Sequence, residues 1–305
     1  MRIGTRGSAL ALAQAGTVAA ALGGELVVIA SEGDRSTESL ASLGGTGVFA
    51  KALRDALLAG EVDAVVHSFK DLPTAAEPGL SIAAVPLRAD PRDALCARDG
   101  LTLETLPEGA RVGTGSPRRR AQLAARRSDL DIVDIRGNVD TRLGRLDESG
   151  ERALDAVVLA AAGLDRLGRL DAATQLLSID SWPTAPAQGA LAIETRTGDE
   201  RLAARIDHKA SRLAAEAERG VLARLEAGCA APIGAHAFVE DGMLFLSARV
   251  YRPDGGAQLT SAHAAYLEDT SAAEISARVA DELLAAGAAE LAPLGGSDAP
   301  VGGME

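Results

Sequence analysis

Residues 111–127 read RVGTGSPRRRAQLAARR, and this stretch decides the fold class. Three residues of strand character run into a glycine turn. Ser116 then stands where a helix N-cap belongs, and Pro117 where the first helical position does. A strand feeding directly into a capped helix is half of a crossover unit. The same alternation recurs in both directions. It predicts strands at 2–5, 25–31, 62–67, 80–87, 94–98, 111–113, 131–135, 153–160 and 189–195, and helices at 9–22, 47–59, 117–127, 141–147 and 163–167. That is many strands for one open sheet. Two doubly wound α/β domains with parallel sheets and a cleft between them are expected.

Beyond HKASRLAAEAERGVLARLEAG (208–228) the pattern changes. Alternating strands at 233–239, 243–251 and 258–267 are separated by turn signals at 240–242 and 253–256, and a helix follows at 271–289. This reads as a small α+β third domain. Residues 292–305 read as a flexible tail.

Of the 305 residues, 47% are hydrophobic and 2% aromatic, so the core must be built from Ala, Leu, Val and Ile. The net charge of -12 disfavours nucleic acid and anionic membranes as partners, and a polyanionic ligand needs a local basic site. Two cysteines and four histidines without a Cys/His cluster give neither a disulfide framework nor a metal site, which fits a reducing cytoplasm. Residues 1–22 superficially resemble a signal peptide but read as a strand followed by a helix. No membrane span is expected.

Within this acidic chain, residues 111–145 hold nine arginines against four aspartates. A solvated helix face is one reading, and it suits Arg126 and Arg127. An anion site is the other. Arg118 and Arg119 fall at a helix N-terminus, where free N–H groups and the dipole favour an anion. Arg136 in IRGN ends a strand, the edge where open α/β sheets bind ligands. Arg6 and Ser8 in GTRGS repeat the pattern. In DAVVHSFKDLPT (63–74), a buried strand runs into Lys70 and Asp71, either a surface pair of little energetic consequence or charges facing the cleft. His67 reads as a strand-end residue with a satisfied hydrogen bond. In RLEAGCAAPIG (224–234), Cys229 lies between Gly228 and two alanines, a setting that lets a bulky group approach. With no neighbouring histidine it is a poor hydrolytic nucleophile. Cys96, in the apolar run DALCAR, reads as core.

RGSALALAQ, HSFKDLPT, DPRDAL, GTGSPRRRAQL, IRGNVDTRL, AAAGLDRLG, APAQGALAIE and RLEAGCAAPIG occur in the order that characterises the porphobilinogen deaminase (hydroxymethylbilane synthase) family, and the chain resembles it from residue 1 to about 291. The resemblance implies a transferase of porphyrin and heme biosynthesis. It would join four porphobilinogen molecules head to tail with release of ammonia, priming on a covalent dipyrromethane cofactor, and free the linear tetrapyrrole hydroxymethylbilane. Cys229 matches the thioether anchor, and Asp71 the catalytic carboxylate. Arg6, Ser8, Arg118, Arg119, Arg136, Arg142 and Arg166 match the cleft lining, with Thr114, Ser116 and Gln188 nearby and Lys51 and Lys70 adding charge. Arginine pairs carboxylates bidentately and stays charged, which suits a ligand bearing an acetate and a propionate on every pyrrole.

The resemblance further implies two periplasmic-binding-protein-like domains, at 1–87 with 190–207 and at 92–183, a cofactor-bearing third domain at 209–291, and a monomer. Residues 33–49 match a mobile loop near the cleft. There Thr46 stands where bacterial relatives often carry lysine, which removes one cationic contact. A non-catalytic two-domain anion-binding protein would use the same arginines but leaves Cys229 and Asp71 without a role. A nucleic-acid binder is opposed by the acidic charge and the scarcity of aromatics.

Overall fold

The computed structural model describes residues 1–30, 47–227 and 231–294; the loop with Thr46, Cys229 and the end of the tail lie outside the described residues. The chain opens with β1 (Arg2–Thr5), α1 (Ala9–Leu22), β2 (Glu25–Val28), α2 (Gly47–Leu58), β3 (Ala64–Ser68) and β4 (Leu80–Ala84). It crosses through residues 85–92 into β5 (Asp93–Ala97), β6 (Arg111–Gly113), α3 (Pro117–Arg126), β7 (Asp131–Val133), α4 (Val139–Gly144), β8 (Ala156–Ala160), α5 (Ala161–Arg166) and β9 (Gln175–Leu176). It then returns through residues 177–190 to β10 (Leu191–Arg196).

The first sheet has the order β2-β1-β3-β10-β4 and the second β7-β6-β8-β5-β9. In both, the first three strands are parallel. The expectation of wholly parallel sheets needs correction, because β10 and β5 run antiparallel to both their neighbours. Each is the first strand after the chain crosses over, so it enters its new sheet from the side where the parallel strands end. The two sheets therefore share one topology, and both crossings pass the carboxyl edges of the parallel strands, where such sheets bind ligands.

Three βα turns at those edges are built alike. Ser8, Ser116 and Asn138 cap α1, α3 and α4 by accepting from the backbone N–H groups of Ala11, Arg119 and Thr141. Sheet cores are aliphatic, with Ile3, Val66 and Ile193 in one and Leu95, Val112 and Val158 in the other, all 5% exposed or less.

The third unit packs α6 (Lys209–Arg224) and α7 (Ala272–Ala285) on one face of the antiparallel sheet β11 (Ile233–Glu240), β12 (Met243–Tyr251) and β13 (Gln258–Tyr266). The single helix expected at 271–289 is instead α7 followed by the short α8 (Ala288–Leu291). Gly287, in the left-handed region at φ 95°, breaks the run. Among the described residues, no helix is long and apolar enough to cross a membrane.

Candidate active site

Asp93, the first residue of β5, is completely buried. Its carboxylate accepts from Arg118 Nη1 at 2.9 Å, Arg119 Nη2 at 2.7 Å, Trp182 Nε1 at 2.9 Å and Gln188 Nε2 at 2.8 Å. Burial alone would raise this carboxyl, but the charges and hydrogen bonds of the two arginines hold it far below the usual carboxylate range. Arg118 and Arg119 do stand at the N-terminus of α3, but they are buried, at 3% and 6% exposure, and share one carboxylate. Two guanidiniums against one carboxylate leave a net positive charge. The Nε atoms of both arginines are buried without a partner among the described residues.

Gln188 joins this cluster to the turn after β3. Its Nε2 also donates to Pro91 O at 2.8 Å, while its Oε1 accepts from Lys70 Nζ at 3.3 Å. Ala187, at φ 62°, and Gly189, at φ 86°, hold the crossing strand in the left-handed region on either side of Gln188. A Cβ on Gly189 would lie 2.6 Å from Ala89 O, so the two crossing segments pass in contact. Lys70 is half-buried, and burial, with Arg119 adding repulsion and Asp71 opposing it, pushes its ammonium down to about 8. Asp71 follows on the short 3-10 turn Phe69–Asp71 with its side chain exposed.

Further cations line the second sheet's edge. Arg142 is half-buried and donates Nε to Gly137 O at 2.8 Å; burial and then the charges of Arg119 and Arg136 push it down. Arg166 donates Nη2 to Gly189 O at 2.7 Å, and burial lowers it as well. Among the described residues, neither is paired with a carboxylate. Arg136 lies 3.5 Å from Asp134 in an exposed pair. Thr114 is buried, and its hydroxyl accepts from the backbone N–H of Ser116 at 3.2 Å. From the first sheet come Arg6, half-buried at the end of β1, and Ser8, the cap of α1. A Cβ built on Gly163 of α5 would sit 3.9 Å from Leu10 of α1, so the two edges meet across the cleft.

Lys51 is not brought to this cluster: it is exposed on α2 and pairs with Asp55 at 2.6 Å. The solvated-face reading of Arg127 also needs correction. Its guanidinium binds Asp129 and the carbonyls of Leu103 and Leu106, clasping α3 to the loop before β6. His67 is buried, 3.0 Å from Glu194, which Arg54 also grips, so it belongs to the structural interior. Cys96 is buried, and its thiol is pushed up to about 11 by burial, which suits a core residue. Among the described residues, no group of His, Cys, Asp or Glu could hold a metal ion.

Sequence reasoning assigned no role to Asp93, Glu218 or Arg219. Asp93 carried one signal, a charge heading the apolar strand DALCA. Glu218 and Arg219 carried none, since adjacent charges on an amphipathic helix read as solvated. In the fold, Glu218 is completely buried and binds Arg88 at 2.6 Å, the Ala187 N–H at 2.6 Å and the Ala237 N–H at 2.7 Å. It thereby fixes the crossing segment beside Gln188 to the third unit.

Two family sequence models match the chain: "Porphobilinogen deaminase, dipyromethane cofactor binding domain" over residues 1–204, and "Porphobilinogen deaminase, C-terminal domain" over residues 212–285. A protein of Leifsonia xyli subsp. xyli named porphobilinogen deaminase is 61% identical over 316 residues, spanning 97% of this chain and 95% of its own. One of the same name from Cutibacterium acnes is 53% identical, spanning 96% and 97%. A solved lipoprotein of Bacillus subtilis aligns with 67% of this chain and 86% of its own at 16% identity, with a TM-score of 0.38.

Proposed function

The chain belongs to the porphobilinogen deaminase family, and from that premise we propose that the cluster around Asp93 and Gln188 is where it polymerises porphobilinogen. In each round the aminomethyl C–N bond of one porphobilinogen breaks and ammonia leaves. A C–C bond then forms to the free α-carbon of the preceding pyrrole, which gives up its proton. Four rounds and a hydrolysis release hydroxymethylbilane.

The dipyrromethane, anchored at Cys229, supplies when bound the nucleophilic pyrrole on which growth begins. The residues present suit such a carboxylate-bearing group. Among the described residues, Arg118 and Arg119 outnumber their one carboxylate and keep buried Nε donors without partners, and Arg142 and Arg166 bind only backbone carbonyls. Arg118, Arg119 and Arg142, with Thr114 and Ser116 at the same edge, would hold it. Arg6, Ser8, Arg136 and Arg166 would take the carboxylates of incoming porphobilinogen.

Asp71 is the catalytic carboxylate in this reading. Loss of ammonia leaves porphobilinogen with positive charge delocalised onto its pyrrole N–H. A fixed carboxylate accepting from that N–H stabilises the charge where it develops. Lys70, oriented by Gln188, holds a substrate carboxylate beside it. The observation that carries the reading is this join: Gln188 bonds Lys70, next to Asp71, on one side and the Arg119–Asp93 pair on the other.

The division into 1–87 with 190–207, 92–183 and 209–291 belongs to the same proposal and is supported by sheet membership. A monomeric enzyme of the cytoplasm that binds no nucleic acid is supported by the net charge of -12 and the two cysteines. The test is to incubate the purified protein with porphobilinogen and count ammonia against linear tetrapyrrole. Four ammonia per product, with a protein that colours Ehrlich's aldehyde reagent, is expected. A colourless protein that leaves porphobilinogen unconsumed contradicts the proposal.

A further inference from the structure

Arg219 projects from α6 of the third unit onto the turn that carries Asp71. Its Nη1 donates to Phe69 O and Leu72 O, both at 2.9 Å, and its Nη2 donates to Pro73 O at 2.6 Å. The guanidinium also lies over the Phe69 ring, 4.5 Å from its centroid. Three carbonyls bracketing Lys70 and Asp71 on both sides thus converge on one cation. Phe69 and Leu72 anchor the ends of the turn in the core, but its own backbone adds few hydrogen bonds: Phe69 N–H donates to Ala190 O at 3.0 Å, and Leu72 N–H to Phe69 O at 3.3 Å. Among the described residues Arg219 has no carboxylate partner, so carbonyl dipoles and an aromatic face are what stabilise its charge. Burial lowers it to about 10. A helix that merely needed to pack on this turn could do so with an aliphatic side chain and avoid desolvating a cation.

We propose that Arg219 is a positioning residue that holds the Asp71 turn in register for the reaction. The inference rests on the reading of Asp71 given above. A carboxylate that stabilises charge on a pyrrole N–H must be placed to within a fraction of an ångström, and a misplacement of about 1 Å can lower the rate on the order of 100-fold. Asp71 is itself exposed and gains no rigidity from burial, so its aim depends on the backbone that Arg219 fixes. The neighbouring Glu218 fixes the N–H of Ala187, beside Gln188. One turn of α6 therefore holds both backbone segments that the site joins.

The test uses the full-length, cofactor-loaded enzyme, with Arg219→Gln, Arg219→Lys, Asp71→Asn and the double variant Asp71→Asn/Arg219→Gln. Arg219→Gln is expected to keep its mass increment and a KM within twofold of wild type, while kcat falls at least about 30-fold. Amide exchange at residues 70–72 should quicken at least tenfold while β3 is unchanged. Arg219→Lys, which keeps a cation within reach of some carbonyls, should fall less. The double variant should be no slower than Asp71→Asn alone, because a misaimed group that has already been neutralised has nothing more to lose.

A normal kcat in Arg219→Gln beside a slow Asp71→Asn overturns the inference and leaves Asp71 standing, as does a loss that adds in full to that of Asp71→Asn. A near-normal Asp71→Asn removes the reading of Asp71 and this inference together. Should Arg219→Gln not fold, Arg219→Lys decides: a kcat lowered at least threefold at unchanged KM supports the inference, and an unchanged kcat overturns it.

Discussion

Arg119 Nη2 and Asp93 Oδ1 lie 2.7 Å apart where the second sheet meets the cleft, and both side chains are nearly inaccessible to water, at 7% and 0% exposure. The pair lets a cation sit deep in a chain poor in aromatics without being wholly neutralised, since Arg118 shares the same carboxylate. Asp93→Asn keeps the shape but leaves two buried guanidiniums uncompensated. Removing one partner of a buried pair costs about 3–5 kcal/mol. Urea unfolding of Asp93→Asn should show a loss of that order; a loss under about 1 kcal/mol would mean the arginines are solvated and the cluster is not closed.

The cleft arginines should separate by role. Arg118→Leu or Arg119→Leu should yield protein without the cofactor's mass increment, because these residues flank the innermost part of the site. Arg166→Leu should keep the increment and raise KM for porphobilinogen, with one charge-assisted pair worth about 1.5–3 kcal/mol. Arg152, whose side chain is 77% exposed, is the control. Intact mass and steady-state kinetics check all four variants; a KM change in Arg152→Leu equal to that in Arg166→Leu would favour diffuse attraction over a built site.

Much of the α/β framework was legible because its punctuation is chemical. Ser8 and Ser116 occupy cap positions that the sequence marks, and Pro117 fixes the start of α3. What could not be read was sheet direction. β5 and β10 look like any apolar strand, and their antiparallel sense follows from where the chain re-enters each sheet. The burial of Arg118 and Arg119 was equally illegible: they read as anion ligands at a helix N-terminus. Nothing in their spacing says that Asp93, which comes before β6 in the chain, will lie between them. Arg219 was illegible because three of its polar contacts are to backbone carbonyls, which have no sequence signature.

Lys70 gives the site a pH signature. Its folded value, about 8, lies below the ordinary 10.5. The protonated form therefore destabilises the fold, fully so below about pH 8, and this penalty is relieved as pH rises from 8 to 10.5. In the proposed role Lys70 binds a substrate carboxylate as its protonated form, so kcat/KM, which reports on free enzyme, should fall above about pH 8. Lys70→Arg should carry its activity to higher pH and lose the alkaline gain in stability. An identical alkaline limb in Lys70→Arg would assign the titration to another group.

Glu194 should dominate acid sensitivity on the first sheet. Burial would raise its carboxyl, yet hydrogen bonds from His67 and Arg54 hold it at about 2 against an ordinary 4.5. Its contribution is present above pH 4.5 and lost as pH falls through about 2, on the order of 3 kcal/mol in all. In Glu194→Gln the acid unfolding curve should be flatter over that window, as followed by far-UV circular dichroism; an unchanged slope would place the acid limb elsewhere.

The most direct test of the central claim, a polymerising enzyme primed on a covalent dipyrromethane, is the intact mass of the purified chain, followed by peptide mapping. The account predicts an excess of two linked pyrrole units over the sequence mass. That excess should map to the peptide holding Cys229, be absent from Cys229→Ser and be retained in Cys96→Ser. An active protein of unmodified mass, or one carrying the adduct on Cys96, would contradict it.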